Sequence, residues 1–342
     1  MAHDLELKHA QMAAGPFAFL RGTFYRWAQT WAGLCKEAAA APVVLAVGDL
    51  HLENFGTWRD EEGRLVWGVN DFDESCYLPY TSDLIRLATS ARLAIEASHL
   101  RLDSAAASEA ILAGYTAGLK AGGQAFILAE SHAWLREIAL GTLRDPIPFW
   151  AKMDALPDVK EPVSESARVA LEHALPRPGQ AYRVKARVAG VGSLGHPRFV
   201  ALADYCGGRI AREAKALVPS SALWARTPDA APEIFYQAVV DRAIRSPDPF
   251  VRLQGHWIVR RLAPDCARVE LEALPDPRTE ARLLHAMGWE SANVHLGSRT
   301  AARPILQDLR KREKGWLDRA ATTMARAIHS DWERWAEPQP KR

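Results

Sequence analysis

The run VGDLHLENFG at residues 47–56, with NDFDES following at 70–75, decides how the rest of this chain is read. Each closes an apolar stretch, APVVLAV at 41–47 and LVWGV at 65–69. The first gathers Asp49, His51, Glu53 and Asn54; the second gathers Asp71, Asp73 and Glu74. Carboxylate and amide oxygens are hard donors, and one or two of them plus phosphates suffice to hold Mg²⁺. Asp and Asn also cap turns at strand ends for purely structural reasons. That plain reading covers one cluster. It does not cover two of matched spacing together with a glycine loop at 190–195.

Bulk properties narrow the class. The 342 residues are 48% hydrophobic and 25% charged, as in a soluble globular enzyme, and exceed what one hydrophobic core serves, so two lobes are expected. A net charge of +2 argues against nucleic-acid binding by bulk electrostatics. Cys35, Cys76, Cys206 and Cys266 show no short repeated spacing, which fits neither a zinc site nor a disulfide framework and points to a reduced cytoplasm. MAHDLELKHAQM lacks the apolar core of a signal peptide, and the run at 41–47 is too short for a bilayer. A cytoplasmic protein without membrane association is the expectation.

Along the chain, residues 16–40 read as a helix with aromatics at helical spacing, closed by Pro42. VVLAV enters a strand, and LVWGV, beyond a turn at 59–64, suggests a partner strand. Residues 82–120 predict two or three helices, and 121–145 continue helical with a break at Gly122-Gly123. Six prolines between Pro146 and Pro178 mark a connector. The period then shifts to two in AYRVKARVA, followed by the strand-like RFVALADY and GRIAREAKALV. A helix over 232–246 precedes WIVRRL and ARVELEAL, which flank a turn at 263–265; residues 278–296 and 304–336 are helical again. The division is therefore a helical part at 1–165, a β-rich part at 166–275 and closing helices at 276–342.

GVGSLG places Gly190, Gly192 and Gly195 in a G-x-G-x-x-G pattern around Ser193. A dinucleotide-binding fingerprint needs a helix at the third glycine. Here His196, Pro197 and a strand-like run follow, so that reading fails. A glycine loop joining two strands is the form that covers nucleotide phosphates in kinases, the plain alternative being an ordinary hairpin turn. The next strand offers Arg212 and Lys215 as the phosphate counter-charge, on opposite faces of a regular strand. Lysine, a compact charge on a flexible stem, is preferred. Its acidic partner on the following helix is Glu233 or Asp241, although simple surface solvation explains either one.

Asp49 and Asn54 stand five apart, the spacing of the kinase catalytic loop, where the aspartate takes or orients the hydroxyl proton and the asparagine holds Mg²⁺. Asp71 matches the aspartate of the kinase D-F-G, with Asp73 replacing the glycine. The G-D-L-H form resembles small-molecule phosphotransferases of the aminoglycoside and choline kinase type, which share the protein-kinase fold. Binuclear metallophosphoesterases also use G-D-x-H, but no G-N-H block is present. Asp83 and Arg86 are assigned structural roles, Arg21 is ambiguous, and the remaining histidines show no metal-like spacing. With PFAFLRG, GDLHLENFG, NDFDES and GVGSLG in that order, the chain resembles the bacterial family of domain of unknown function 2252, regarded as kinase-like. Many of its members carry K-E-A where this chain has Arg212-Glu213-Ala214, which puts nucleotide binding or turnover in question.

The order is rotated relative to kinases, with the catalytic and metal loops preceding the glycine loop. A circular permutation reconciles this. The expectation is thus an α+β, two-lobed, permuted protein-kinase-like fold. It would act as an ATP- and Mg²⁺-dependent phosphotransferase on a small-molecule acceptor. Asp49 would be the base; Asn54, Asp71 and Asp73 the metal ligands; Gly190, Gly192, Ser193 and Gly195 the phosphate cover; Lys215 or Arg212 the counter-charge. A nucleotide sensor without turnover, or a nucleotidyl transferase, are the alternatives.

Overall fold

The computed structural model describes residues 2–142, 145–190, 195–226 and 231–337. The fold is mixed α+β. Helix α1 (Ala2–Met12) precedes α2 (Pro16–Gly22), α3 (Phe24–Leu34) and α4 (Lys36–Ala39), so the single helix read over 16–40 is three, broken at Thr23 and Cys35. Strands β1 (Val43–Ala46), β2 (Phe55–Arg59), β3 (Leu65–Val69) and β4 (Cys76–Pro79) follow. LVWGV pairs with β2, across the 59–64 turn, while β1 pairs antiparallel with β4. The reason is local: the hairpin closes over a short turn, and β1 takes the strand beyond the second acidic loop.

Two long helices come next, α5 (Tyr80–Glu96) and α6 (Ser104–Ala121). Asp103 caps α6, accepting from Ala105 and Ala106 N–H, and Gly122 ends it at φ 77°. The expected helical continuation is instead a short strand, β5 (Phe126–Ile127), paired to β3, and then α7 (Ala133–Thr142). The proline-rich connector also holds helices, α8 (Pro146–Asp154) and α9 (Glu165–His173). Pro146 sits in the first turn of α8, where its missing N–H costs nothing, behind the Asp145 cap.

Strands β6 (Arg183–Ala186), β7 (Arg198–Tyr205) and β8 (Gly208–Ala216), helices α10 (Ser221–Arg226) and α11 (Tyr236–Arg242), and strands β9 (Arg252–Gln254) and β10 (Trp257–Leu262) build the main sheet. Its order is β6-β7-β8-β10-β9, antiparallel throughout. ARVELEAL is not a strand: Arg268 makes a lone bridge to Gly56, and a 3₁₀ turn (Leu271–Ala273) follows before helix α12 (Pro277–His295). Helices α13 (Ala302–Lys311) and α14 (Trp316–Ala336) complete the described chain.

Side-chain alternation gives the sheet two faces. Ala201, Ala214, Trp257 and Val259 pack under α9. Val200, Leu202 and Ala211 pack on the opposite face under Met153 of α8. Beyond α8 that second face carries Glu213 and Lys215 toward the acidic loops. The large core runs from Met12 to Ile328 and joins the first seven helices to α12 and α14. Its tightest crossing is α6 on α12, where a Cβ on Gly288 would lie 2.0 Å from the Ile111 carbonyl oxygen and one on Gly114 1.8 Å from that of His285.

Candidate functional site

Gly48 opens the first acidic loop at φ 84°, and a Cβ there would sit 2.1 Å from the Glu74 carbonyl oxygen. The two acidic loops therefore touch through backbone, which only glycine permits. Asp83, fully buried in α5, accepts from Val47 N–H at 2.7 Å and Gly48 N–H at 3.0 Å. Its second support is His295 Nε2 at 3.0 Å, whose Nδ1 meets the Tyr115 hydroxyl at 2.8 Å. Asp83 thus braces the loop, in keeping with the structural role read for it.

Asp49 projects from this loop into a cavity of about 350 Å³. Arg86, buried in α5 and stacked on Phe24 and Trp27, donates its Nε to Asp49 Oδ1 at 2.7 Å. Burial nevertheless pushes the Asp49 carboxyl up to about 7, with Glu74 and Asp71 adding to the rise against the pull of Arg86. His51 is held neutral, well below its usual range, by burial and by Arg21 and Arg86. Its Nδ1 accepts from Glu53 N–H, so the ring proton lies on Nε2. Asn54 Oδ1 accepts from His51 N–H at 2.6 Å, which leaves that oxygen's second lone pair.

Lys215, its side chain 3% exposed, pairs with Asp73 and lies 3.8 Å from Asp71 Oδ1. Burial lowers the ammonium to about 8, against the pull of Asp71 and Asp49. Burial opposes ionisation of Asp71, but Lys215, Arg260 and Arg198 outweigh it and hold that carboxyl below its usual range. Arg212 is on the other face: it donates to the Ala174 and Ala211 carbonyls, both at 3.0 Å, and stacks 4.4 Å over Phe250. The structure therefore brings Lys215, and not Arg212, to Asp71 and Asp73, within electrostatic reach of Asp49. Glu233 and Asp241 are exposed and away from Lys215, whose carboxylate partners come from the second acidic loop.

Gly190 lines the cavity and Gly195 lies beside His196, which also lines it, between β6 and β7. Gly192 and Ser193 fall outside the described residues. Several lining groups escaped the sequence reading. Lys8 reaches in from α1, and Glu53 is clamped by Arg21 at 2.5 Å and by Arg268. Behind Lys215, the fully buried Glu213 collects Arg187, Arg260 and Arg198. The last cluster left a signal: Arg198, Glu213 and Arg260 lie on inward positions of three neighbouring strands. Lys8 left none.

Among the described residues no three His, Cys, Asp or Glu side chains cluster closely enough to form a metal cage. The hard oxygens of Asp71, Asp73 and Asn54 still fit Mg²⁺, which takes one or two carboxylates and completes its shell with water and phosphate. An ammonium cation, that of Lys215, already sits against both carboxylates.

No helix among the described residues is long and apolar enough to cross a membrane. Neither the curated proteins nor the solved structures include a match to this chain. The sequence model of one family, described as an uncharacterized protein conserved in bacteria (DUF2252), matches residues 1–145, the stretch that carries both acidic loops.

Proposed function

We propose that the protein is an ATP- and Mg²⁺-dependent phosphotransferase of permuted, kinase-like architecture, acting on a small-molecule hydroxyl. The observation that carries this is the pairing of Lys215 with Asp71 and Asp73, two carboxylates that line the same cavity as Asp49. Lys215 lies on β8, the third strand of the main sheet; kinases carry their phosphate-binding lysine on the third strand of theirs. Asp71, Asp73 and Asn54 would hold Mg²⁺, which supplies charge neutralisation at the phosphates. Asp49 would take the acceptor's proton, Arg86 fixing its orientation. The small acceptor is favoured because only β4 separates Ser75 from α5, which leaves no span for a regulated activation segment.

The test is thermal unfolding with ATP, with and without Mg²⁺, followed by product analysis with labelled ATP. A nucleotide well above its dissociation constant adds about 3 kcal/mol of stability. Stabilisation with ADP release is the expected result. Pyrophosphate release would reassign the chemistry to nucleotidyl transfer, stabilisation without turnover would leave a sensor, and no stabilisation would sink all three.

A further inference from the structure

A second cavity, of about 150 Å³, lies behind the second acidic loop and shares no lining residue with the first. It is walled by Asn70 and Phe72 on one side, and by β10 and the segment after α11 on the other. Four arginines line it, Arg187, Arg245, Arg260 and Arg261, against the single carboxylate of Asp248; Arg261 also lines a neighbouring cavity with Arg212 and Phe250, its guanidinium 4.9 Å over the Phe250 ring. Arg187 and Arg260 share the buried Glu213. Asp248 is engaged with the Phe250 N–H at 2.9 Å. Arg245 donates to the Val69 carbonyl and stacks over Trp58 and Phe72. Its Nε, and the Nε and Nη2 of Arg261, are buried with no acceptor among the described residues. Arg261 also stands directly opposite Arg212 across the β8–β10 ladder.

Each of these facts is unfavourable by itself. A buried donor without an acceptor is destabilising, more so when charged. Like charges directly opposed on a ladder repel. An anion in the cavity would offset the unbalanced charge of the arginines that line it. Guanidinium forks bind phosphate and carboxylate through paired N–H donors. Here the donors come from three separate elements, the end of β6, β10 and the segment after α11, which suits the several oxygens of a tetrahedral oxyanion. The volume falls below the roughly 300 Å³ at which cofactor-sized pockets begin, so a whole nucleotide is excluded. We propose that this cavity binds a phosphate-class oxyanion, either inorganic phosphate or the phosphoryl end of a small phosphomonoester. Occupancy would tie Arg260 and Arg245, and with them the Glu213 end of β8 and the Phe72 turn.

The test is thermal unfolding of the whole protein titrated with inorganic phosphate at matched ionic strength, in the wild type, Lys215→Met and Arg261→Met. Phosphate is expected to raise the melting temperature of the wild type and of Lys215→Met. Arg261→Met should lose that rise, whatever its melting temperature without phosphate. Arg261→Lys keeps the charge, loses the fork and should weaken the rise; it makes the same discrimination if the methionine variant does not fold. The proposal is overturned if phosphate has no effect on the wild type. It is equally overturned if the rise survives at Arg261→Met, or vanishes at Lys215→Met, which would place the ion in the first cavity. None of these readings involves ATP, so they stand apart from the test of phosphotransfer.

Discussion

At the scale of single residues, Asp49 carries the sharpest expectation. A base accepts a proton only when ionised, and burial sets this carboxyl near 7. Turnover should therefore be low in acid and rise through about pH 7. Asp49→Asn should lose about 10²–10⁴-fold in turnover while retaining the nucleotide-dependent gain in stability; an unchanged rate would remove Asp49 from the chemistry. The choice between Arg212 and Lys215 gives a second contrast. Lys215→Met should abolish the stabilisation by nucleotide. Arg212→Met should keep it and cost about 1–3 kcal/mol of stability, because two backbone carbonyls lose their donor. The reverse pattern in a urea titration with and without ATP would reject the assignment. Asp49, Asn54 and Asp71 were legible because their spacing is local. The face of β8 was not, since parity alone leaves two answers until the neighbouring strands and α8 decide.

At the scale of elements, the α6–α12 crossing is the most exacting contact. Gly288→Ala would drive a methyl group into the Ile111 carbonyl, and overpacking of this kind costs about 1–3 kcal/mol. A urea midpoint unchanged from wild type would show that the helices can separate freely. Periodicity revealed the helices here and the strands of the main sheet. It missed what depends on distant partners or on punctuation. β1 takes β4 rather than the nearer LVWGV, and prolines that read as a connector open or precede helices. ARVELEAL has strand composition, yet only Arg268 finds a strand to bridge.

At the scale of the whole molecule, α1 reaches across to the site it precedes. Lys8 is attracted to Asp49 and Glu74, and attraction is mutual, so its charge favours the ionised form of Asp49. Lys8→Met should move the acid limb of the turnover profile to higher pH; a shift to lower pH would mean that Lys8 acts on another group. The same long reach governs how the molecule is made. The brace on Gly48 is Asp83, and Asp83 is held by His295 from α12. The groove that α12 fills is walled by Ile111, Gly114 and Gly118 of α6, all produced early. During synthesis the acidic loops leave the ribosome first, yet their support arrives only after the entire sheet has been translated. The sheet, whose contacts are mostly between consecutive strands, can form meanwhile, whereas the helical body waits with an apolar groove open to water. The groove thus stays uncovered from the completion of α6 until α12 follows, the interval in which a chaperone has something to bind.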